Sequence, residues 1–459
     1  MRRRGLDLSH WYIATPCVVV LAFAGCGASE GVEPETPKAV TESTQVNQAK
    51  APEATRAYRG PVLSESPFRK IVALAVRENP GSDASTARIA AATATVAGAS
   101  GAFKPRISLG ADYGVQIAGT ANRARNSPYV ELSQLVFDAG ASGNRRAAAN
   151  ARLDENRSDH IAFLSNLTFR AVETYCDVLR KRDLVELAER NVGLHRTFLA
   201  QVERRVAAGA ASQMDTLEAR GRFADATSQA VSAQAELDRA NSLYAEVFGS
   251  APAGVSMPPV APNVERGEVA STAASSPRVI GMDHAIVAAE ADLRLAKSGR
   301  FPTVRLGVTG RPGSDGGVDV SSGISMDFAL TTGGEREAGI QTAKANLLEI
   351  EATRRELLRE LERSIAFVLA DQDSMALQLD AANFAVSANK ANAEAYLEQF
   401  DMGRRNITEV LDAQSGFIRS SENLINARMD LALSGYALLA TTGDILDVFG
   451  MSRTDLGRE

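Results

Sequence analysis

The residues of this chain whose types and spacing could do chemistry are charged, and they sit beside two glycines. After Gly403 come Arg405, Glu409 and Asp412. Glu409 and Asp412 are three positions apart, so on a helix they share one face. Carboxylates placed so can attract cations and, when crowded, raise one another's pKa. Arg405 precedes Glu409 by four, the spacing of an ion pair within one helix, although arginine first is the weaker orientation. Asn406-Ile-Thr-Glu409 also fits a capping box, and Ser212-Gln-Met-Asp215, just after Gly209, nearly does. On the residues alone the acids can serve either a charged surface or a helix start. Catalysis has no constellation: His10, His160, His195 and His284 are isolated and lack metal-ligand spacing. His195 lies in an apolar helix seam and reads as a packed or solvated side chain. The stretch from Gly310 to Gly317 resembles a phosphate loop only in its glycines. It lacks the lysine, the hydroxyl residue and the following helix, and reads as an external loop. No metal and no cofactor is expected.

These charges must be positioned by long helices. Val410, Phe417, Leu424, Leu431, Leu438 and Ile445 recur every seven residues, with Leu411, Ile418 and Ile425 beside them. That is a coiled-coil seam. The pattern occurs twice: Gly209, Asp215, Leu217 and Glu218 stand 194 residues before Gly403, Glu409, Leu411 and Asp412 (403 − 209 = 409 − 215 = 194). The chain therefore reads as a duplicated hairpin of long helices. Its 459 residues are alanine-rich and 5% aromatic, which suits narrow helix seams better than a conventional core. A net charge of −6 offers no basic face, so no nucleic-acid partner is expected. Three cysteines, Cys17, Cys26 and Cys176, cannot build a disulfide framework.

In chain order, residues 1–25 read as a leader, with Arg2, Arg3 and Arg4 before a short apolar run. Residues 26–66 are a polar tether. The first repeat is expected over 67–250, with short helices from Pro67 to Glu78 and from Ser85 to Ala102. Its strand hairpin covers about 105–138, with a polar loop from Gly119 to Ser127. A long helical hairpin follows over 139–249. Residues 251–283 read as a linker. The second repeat spans 284–449: a short helix from His284 to Arg300, a strand hairpin at about 302–331 and a helical hairpin over 333–449. Residues 450–459 form a tail. Alternation such as Ile107, Leu109, Ala111, Tyr113 against Ser108, Gly110, Asp112 gives strands of about ten residues, near the length that crosses a bilayer when tilted. Tyr113, Tyr129, Phe137, Phe301 and Phe328 are the aromatic candidates for a lipid-interface girdle. Four strands cannot close a barrel, and an open edge in lipid is forbidden. Either the hairpins lie in water, as in a periplasmic coiled-coil scaffold, or several chains share one barrel.

Several motifs together resemble the TolC family of outer-membrane efflux proteins. Gly403-Arg-Arg-Asn-Ile-Thr-Glu-Val-Leu-Asp-Ala-Gln414 is similar to that family's G-x-R-x-x-x-D-V-L-D/N-A motif, and Ala208 to Arg220 is its repeat partner. Asn79-Pro80, Gln134-Leu-Val-Phe-Asp-Ala-Gly140 and Tyr436 to Leu446 also match, over about Pro67 to Phe449. The resemblance implies a mainly α fold with a small β part. Three chains would share a barrel of four strands each above a periplasmic tunnel of antiparallel coiled-coil helices. It implies an exit duct that opens when a periplasmic adaptor and an inner-membrane transporter, ABC-type or proton-driven, dock at the helix tips around Gly209 and Gly403. The cargo would be proteins (type I secretion) or small molecules. By the same resemblance Arg405 ties neighbouring helices, Asp215 is its acidic partner, and Glu409 and Asp412 form acidic rings at the entrance. A tyrosine common in the family is Phe400 here, which removes a hydroxyl latch. Separately, Leu21 to Cys26 resembles a lipoprotein processing site, which implies acylation of Cys26. An ordinary leader cut near Ala24 or Ala28 is the alternative.

Overall fold

The structure is a computed structural model that describes residues 61–63, 65–118, 121–262, 269–313 and 316–451, with the side chains of 114–127 excepted. The expected leader, Cys26 and most of the tether lie outside the described residues. The end of the tether is anchored, contrary to expectation. Leu63 is buried and its N–H donates to the carbonyl of Val448 at 3.0 Å.

Helix α1, Pro67–Glu78, starts on Ser66, whose hydroxyl accepts from the Arg69 N–H at 3.2 Å. Helix α2, Pro80–Ser100, begins five residues before the expected Ser85. Asn79-Pro80 ends one helix and starts the next: the Asn79 side chain accepts from the Gly81 N–H at 2.9 Å, and proline fits the first helical position. Strands β1 (Arg106–Ala118) and β2 (Ala121–Phe137) follow. The polar loop expected over 119–127 is mostly strand, because pairing continues to Ala118 opposite Ala121. Helix α3 (Ala141–Ala207) and helix α4 (Gln213–Phe248) form the first long hairpin. The expected linker contains α5 (Val269–Ala274) and the start of α6 (Pro277–Ser298), so that helix begins seven residues before His284. Strands β3 (Thr303–Pro312) and β4 (Val318–Asp327) then lead to α7 (Glu335–Asp401), α8 (Ile407–Thr442) and α9 (Ile445–Val448).

The duplication is carried through to the backbone. α3 and α7 have 67 residues each, and α4 and α8 have 36. All four boundaries shift by one constant (335 − 141 = 401 − 207 = 407 − 213 = 442 − 248 = 194). At about 1.5 Å per residue, α3 and α7 each reach roughly 100 Å. The heptad series does not stay on one helix. Gly443, at φ +80°, ends α8, and Ile445 is buried from α9 instead. Within one chain Val410 and Leu438 are buried, while Phe417, Leu424 and Leu431 are only half-buried.

The sheet is antiparallel in the order β1-β2-β3-β4, which leaves β1 and β4 as its edges. Register sorts its two faces. Ile107 faces Leu132 and Leu132 faces Val308; Leu109 faces Val130; Leu306 faces Ile324, and Val304 faces Met326. One face is thus apolar and exposed, with Leu109 at 80% and Ile324 at 74%. On the other face stand Ser108, Glu131, Thr309 and Ser321. Tyr129 belongs to this polar face, where it fills the space over Gly110 and meets the Arg311 guanidinium at 5.1 Å, so it leaves the girdle.

The main core gathers α1, the middle of α3 and the ends of α4 and α8 around Phe68, Tyr175, Tyr244, Tyr436 and Phe449. Cys176 is a free thiol within it, and burial pushes its pKa up to about 12. A separate cluster sits at the helix tips. No helix among the described residues is long and apolar enough to cross a membrane.

Candidate functional site

The tips of both hairpins are built from one backbone recipe. α3 is capped by Ala208, and Gly209 takes φ +75°, so its N–H reaches the carbonyl of Val206 at 3.0 Å and the Ala210 N–H reaches that of Arg205 at 2.8 Å. α7 is capped by Met402, and Gly403 takes φ +72°, with the Gly403 N–H on the Phe400 carbonyl at 2.9 Å and the Arg404 N–H on that of Gln399 at 2.9 Å. This paired closure satisfies carbonyls left over at a helix end and needs a left-handed residue, hence glycine. Three residues later each chain re-enters a helix through a full capping box. Ser212 accepts from the Asp215 N–H at 3.3 Å while Asp215 accepts from the Ser212 N–H at 2.8 Å. Asn406 accepts from Glu409 at 2.9 Å while Glu409 accepts from Asn406 at 3.2 Å. The helix-start use of both acids is therefore realised in this conformation.

Side chains then distinguish the tips. Arg405 donates to Glu409 at 2.7 Å and to Gln399 at 3.0 Å, and its guanidinium lies 4.4 Å from the Tyr396 ring centre. The hydrogen bond from Arg405, with that from the Asn406 N–H, holds the Glu409 carboxyl below the usual range, and Glu409 raises the Arg405 pKa in turn. Asp215 has no such cation among the described residues: its carboxylate accepts from the Ser212 N–H. Within the chain, Arg405 and Asp215 are not brought together. Asp412 instead pairs with Arg222 of α4 at 3.3 Å.

The two tips are also tied to each other by residues that sequence reasoning missed. Arg205 donates to the Phe400 carbonyl at 3.0 Å and lies 4.4 Å from its ring centre. Phe400 is buried against Phe198 at 5.3 Å, and Thr408 donates to Glu218 at 3.2 Å. Arg205 stands 194 residues before Gln399, so a repeat comparison marks the pair as a place where the halves differ; nothing in the sequence marks Arg222. His195, on α3, is buried as expected of a packed histidine. Burial chiefly, then Arg222, lowers its pKa, against an opposing pull from Asp225.

The overall fold and its duplication have counterparts among known proteins. The "Outer membrane efflux protein" family model matches this chain twice, over residues 72–245 and 269–444. The outer membrane efflux protein BepC of Brucella suis is 24% identical over 387 residues, 80% of this chain and 83% of its own. CyaE of Bordetella pertussis is 25% identical over 403 residues, 83% of this chain and 85% of its own. The open-state MtrE outer membrane channel of Neisseria gonorrhoeae superposes with a TM-score of 0.73 at 16% identity, covering 88% of this chain and 98% of that one. Two matched halves account for more than half of the residues, and the chain belongs to the outer membrane efflux protein family.

Proposed function

We propose that three copies of this chain form a passive exit duct through the outer membrane of a Gram-negative bacterium. The observation that carries this is the sheet: one face apolar and exposed, the other polar, and both edges open. Hydrocarbon tolerates strands only when every backbone group is paired, so β4 of one copy must meet β1 of the next. Strands β3 and β4, of 10 residues each, suit a tilted crossing. The apolar face meets outer-membrane lipid, and the polar face lines the bore. Rows of exposed apolar side chains on α7, among them Phe367, Leu377 and Phe384, and on α4, Leu217 and Val231, supply the seams between copies in the periplasm. A soluble scaffold has no use for such a sheet.

The tips are the gate, and docking of an adaptor with its inner-membrane transporter around Gly209 and Gly403 opens it. Opening has to break the Arg222–Asp412 pair and the Arg205–Phe400 contact, because these join different helices. Arg405, Asp215, Glu409 and Asp412 act together there, and three copies of the acids bias the entrance towards cations. Acylation of Cys26 would add a lipid anchor to the barrel. Purified protein should conduct in planar bilayers, and Arg405→Ala with Asp215→Ala should raise resting conductance; unchanged conductance removes the latch from these residues. Cargo is read in the supernatant proteome of a deletion strain. Loss of one or two large proteins indicates secretion, and an unchanged supernatant with raised dye accumulation indicates small-molecule efflux.

A further inference from the structure

The polar face of the sheet carries a cationic cavity next to the start of α3. It is an open recess of about 220 Å³ lined by Lys104, Arg106, Arg145 and Arg305, all exposed, with Ser133 and Asp138 among them. Register places Arg106 beside Ser133, and Arg305 beside Leu135 on the same strand as Ser133. Lys104 enters from the turn before β1 and Arg145 from the first turns of α3. None of the four cations has an ion-pair partner among the described residues. Their neighbours do: Arg300 pairs with Glu337 at 2.9 Å, Arg311 with Asp112 at 3.2 Å, and Arg152 with Asp292. The carboxylate lining the cavity, Asp138, is already committed. Its two oxygens accept from the N–H groups of Gly140 at 3.0 Å and Ser142 at 2.7 Å, which hold the start of α3. Asp327 stands opposite Thr303 on the cavity's rim but pairs with none of the four.

Four like charges around one cavity repel, and no described residue supplies a counter-ion. We propose that this cavity is a binding site for an oxyanion of phosphate chemistry borne by a soluble solute inside the duct. Three arginines can offer forked donors matched to a tetrahedral oxyanion, and a lysine adds a point charge. The cavity lies on the face opposite Ile107, Leu132 and Leu306, away from lipid on the reading of the sheet above, on which this inference rests. In three copies it makes a cationic band at the foot of the barrel, following an acidic entrance at the tips. An anionic group drawn through would pause there before the exit.

The test is a calorimetric titration of pyrophosphate into the detergent-purified full chain, with Arg106→Gln, Arg305→Gln and the double variant beside it. Saturable binding is expected, weakened about tenfold for each arginine removed, the ordinary worth of one charge-assisted hydrogen bond. Lys104→Gln, outside the strands, gives the same answer should a strand variant assemble poorly. Absence of saturable binding to the wild type, or binding unchanged in all variants, overturns the site. Repeating the titration in nanodiscs with and without phosphatidylglycerol separates the sources. Equal binding supports a soluble ligand, and binding lost to phosphatidylglycerol assigns the cavity to a headgroup and overturns the luminal assignment. Bilayer conductance is read independently: a conducting protein that binds no pyrophosphate loses only this inference, and a non-conducting one loses the duct.

Discussion

The two helix tips share a backbone and differ in what holds it. Gly209 and Gly403 make the same left-handed turn, and Ser212–Asp215 and Asn406–Glu409 make the same capping box. At the second tip the old helix and the new one are joined right at the turn, by the Arg405 guanidinium through Glu409, Gln399 and Tyr396. At the first tip that position is Ala211 (405 − 211 = 194), and the link lies further from the turn, where Arg220 of α4 meets Glu203 of α3 at 2.8 Å. The duplication kept the geometry that any tight helical turn requires and varied the charges laid over it. The second tip is locked at its turn, whereas the first is held by Arg220 on Glu203 within its hairpin and by Arg205 on Phe400 and Arg222 on Asp412 across to its neighbour.

The largest expected break in this comparison comes at Phe400. Phe400→Ala removes a buried ring from between Phe198 and the Arg205 guanidinium and should cost about 3–5 kcal/mol. Val206→Ala, at the matching but half-buried position of the first tip, should cost far less. Amide exchange at both tips measures the gap, and similar losses would mean that Phe400 does not bridge the hairpins. Next in size are the glycines. Either Gly209→Ala or Gly403→Ala forces a Cβ into the left-handed region at roughly 1–2 kcal/mol. Neither glycine has a neighbour within 4 Å of an added Cβ, so the two costs should match; a clear inequality would break the idea of a shared frame.

The smallest effect sharpens the comparison by pH. Glu409 has its pKa lowered on folding, so its contribution is complete above the unfolded carboxylate value of about 4.3 and is lost as pH falls through its lower folded value. His195 is also lowered, but it is a base. The folded state then binds fewer protons than the unfolded one, so stability falls once pH drops below about 6.5. Acidification should therefore loosen α3 and α4 near His195 first and the Arg405–Glu409 tip later. His195→Gln should erase the first phase, and a first phase that persists would clear the histidine of that role.

Much of this was legible because heptads and caps are local. The constant shift of 194 residues, both glycine turns and both capping boxes can be read from spacing alone. Where the reading failed, the deciding contacts were distant or one residue served two elements. Asn79-Pro80 ends α1 and also starts α2, a double use that a helix expected only from Ser85 leaves out. Residues 121–127 show no alternation, yet they are strand, because the backbone of β1 pairs with them whatever their side chains. Arg205 is marked only as a place where the repeats differ, and Arg222 carries no signal, since its partner Asp412 stands on α8, far away in the chain. Tyr129 looked like a girdle residue until register placed it over Gly110.

The open edges of the sheet bear on how the protein comes to exist at all. A single chain would expose the unpaired amides of β1 and β4, together with a bare apolar face, to whatever it met first. On the trimeric reading it cannot enter hydrocarbon alone, so association has to precede or accompany insertion. Biogenesis then becomes steeply dependent on supply. Halving expression should lower the yield of inserted assemblies by more than half, and orphan chains become clients for periplasmic chaperones and proteases.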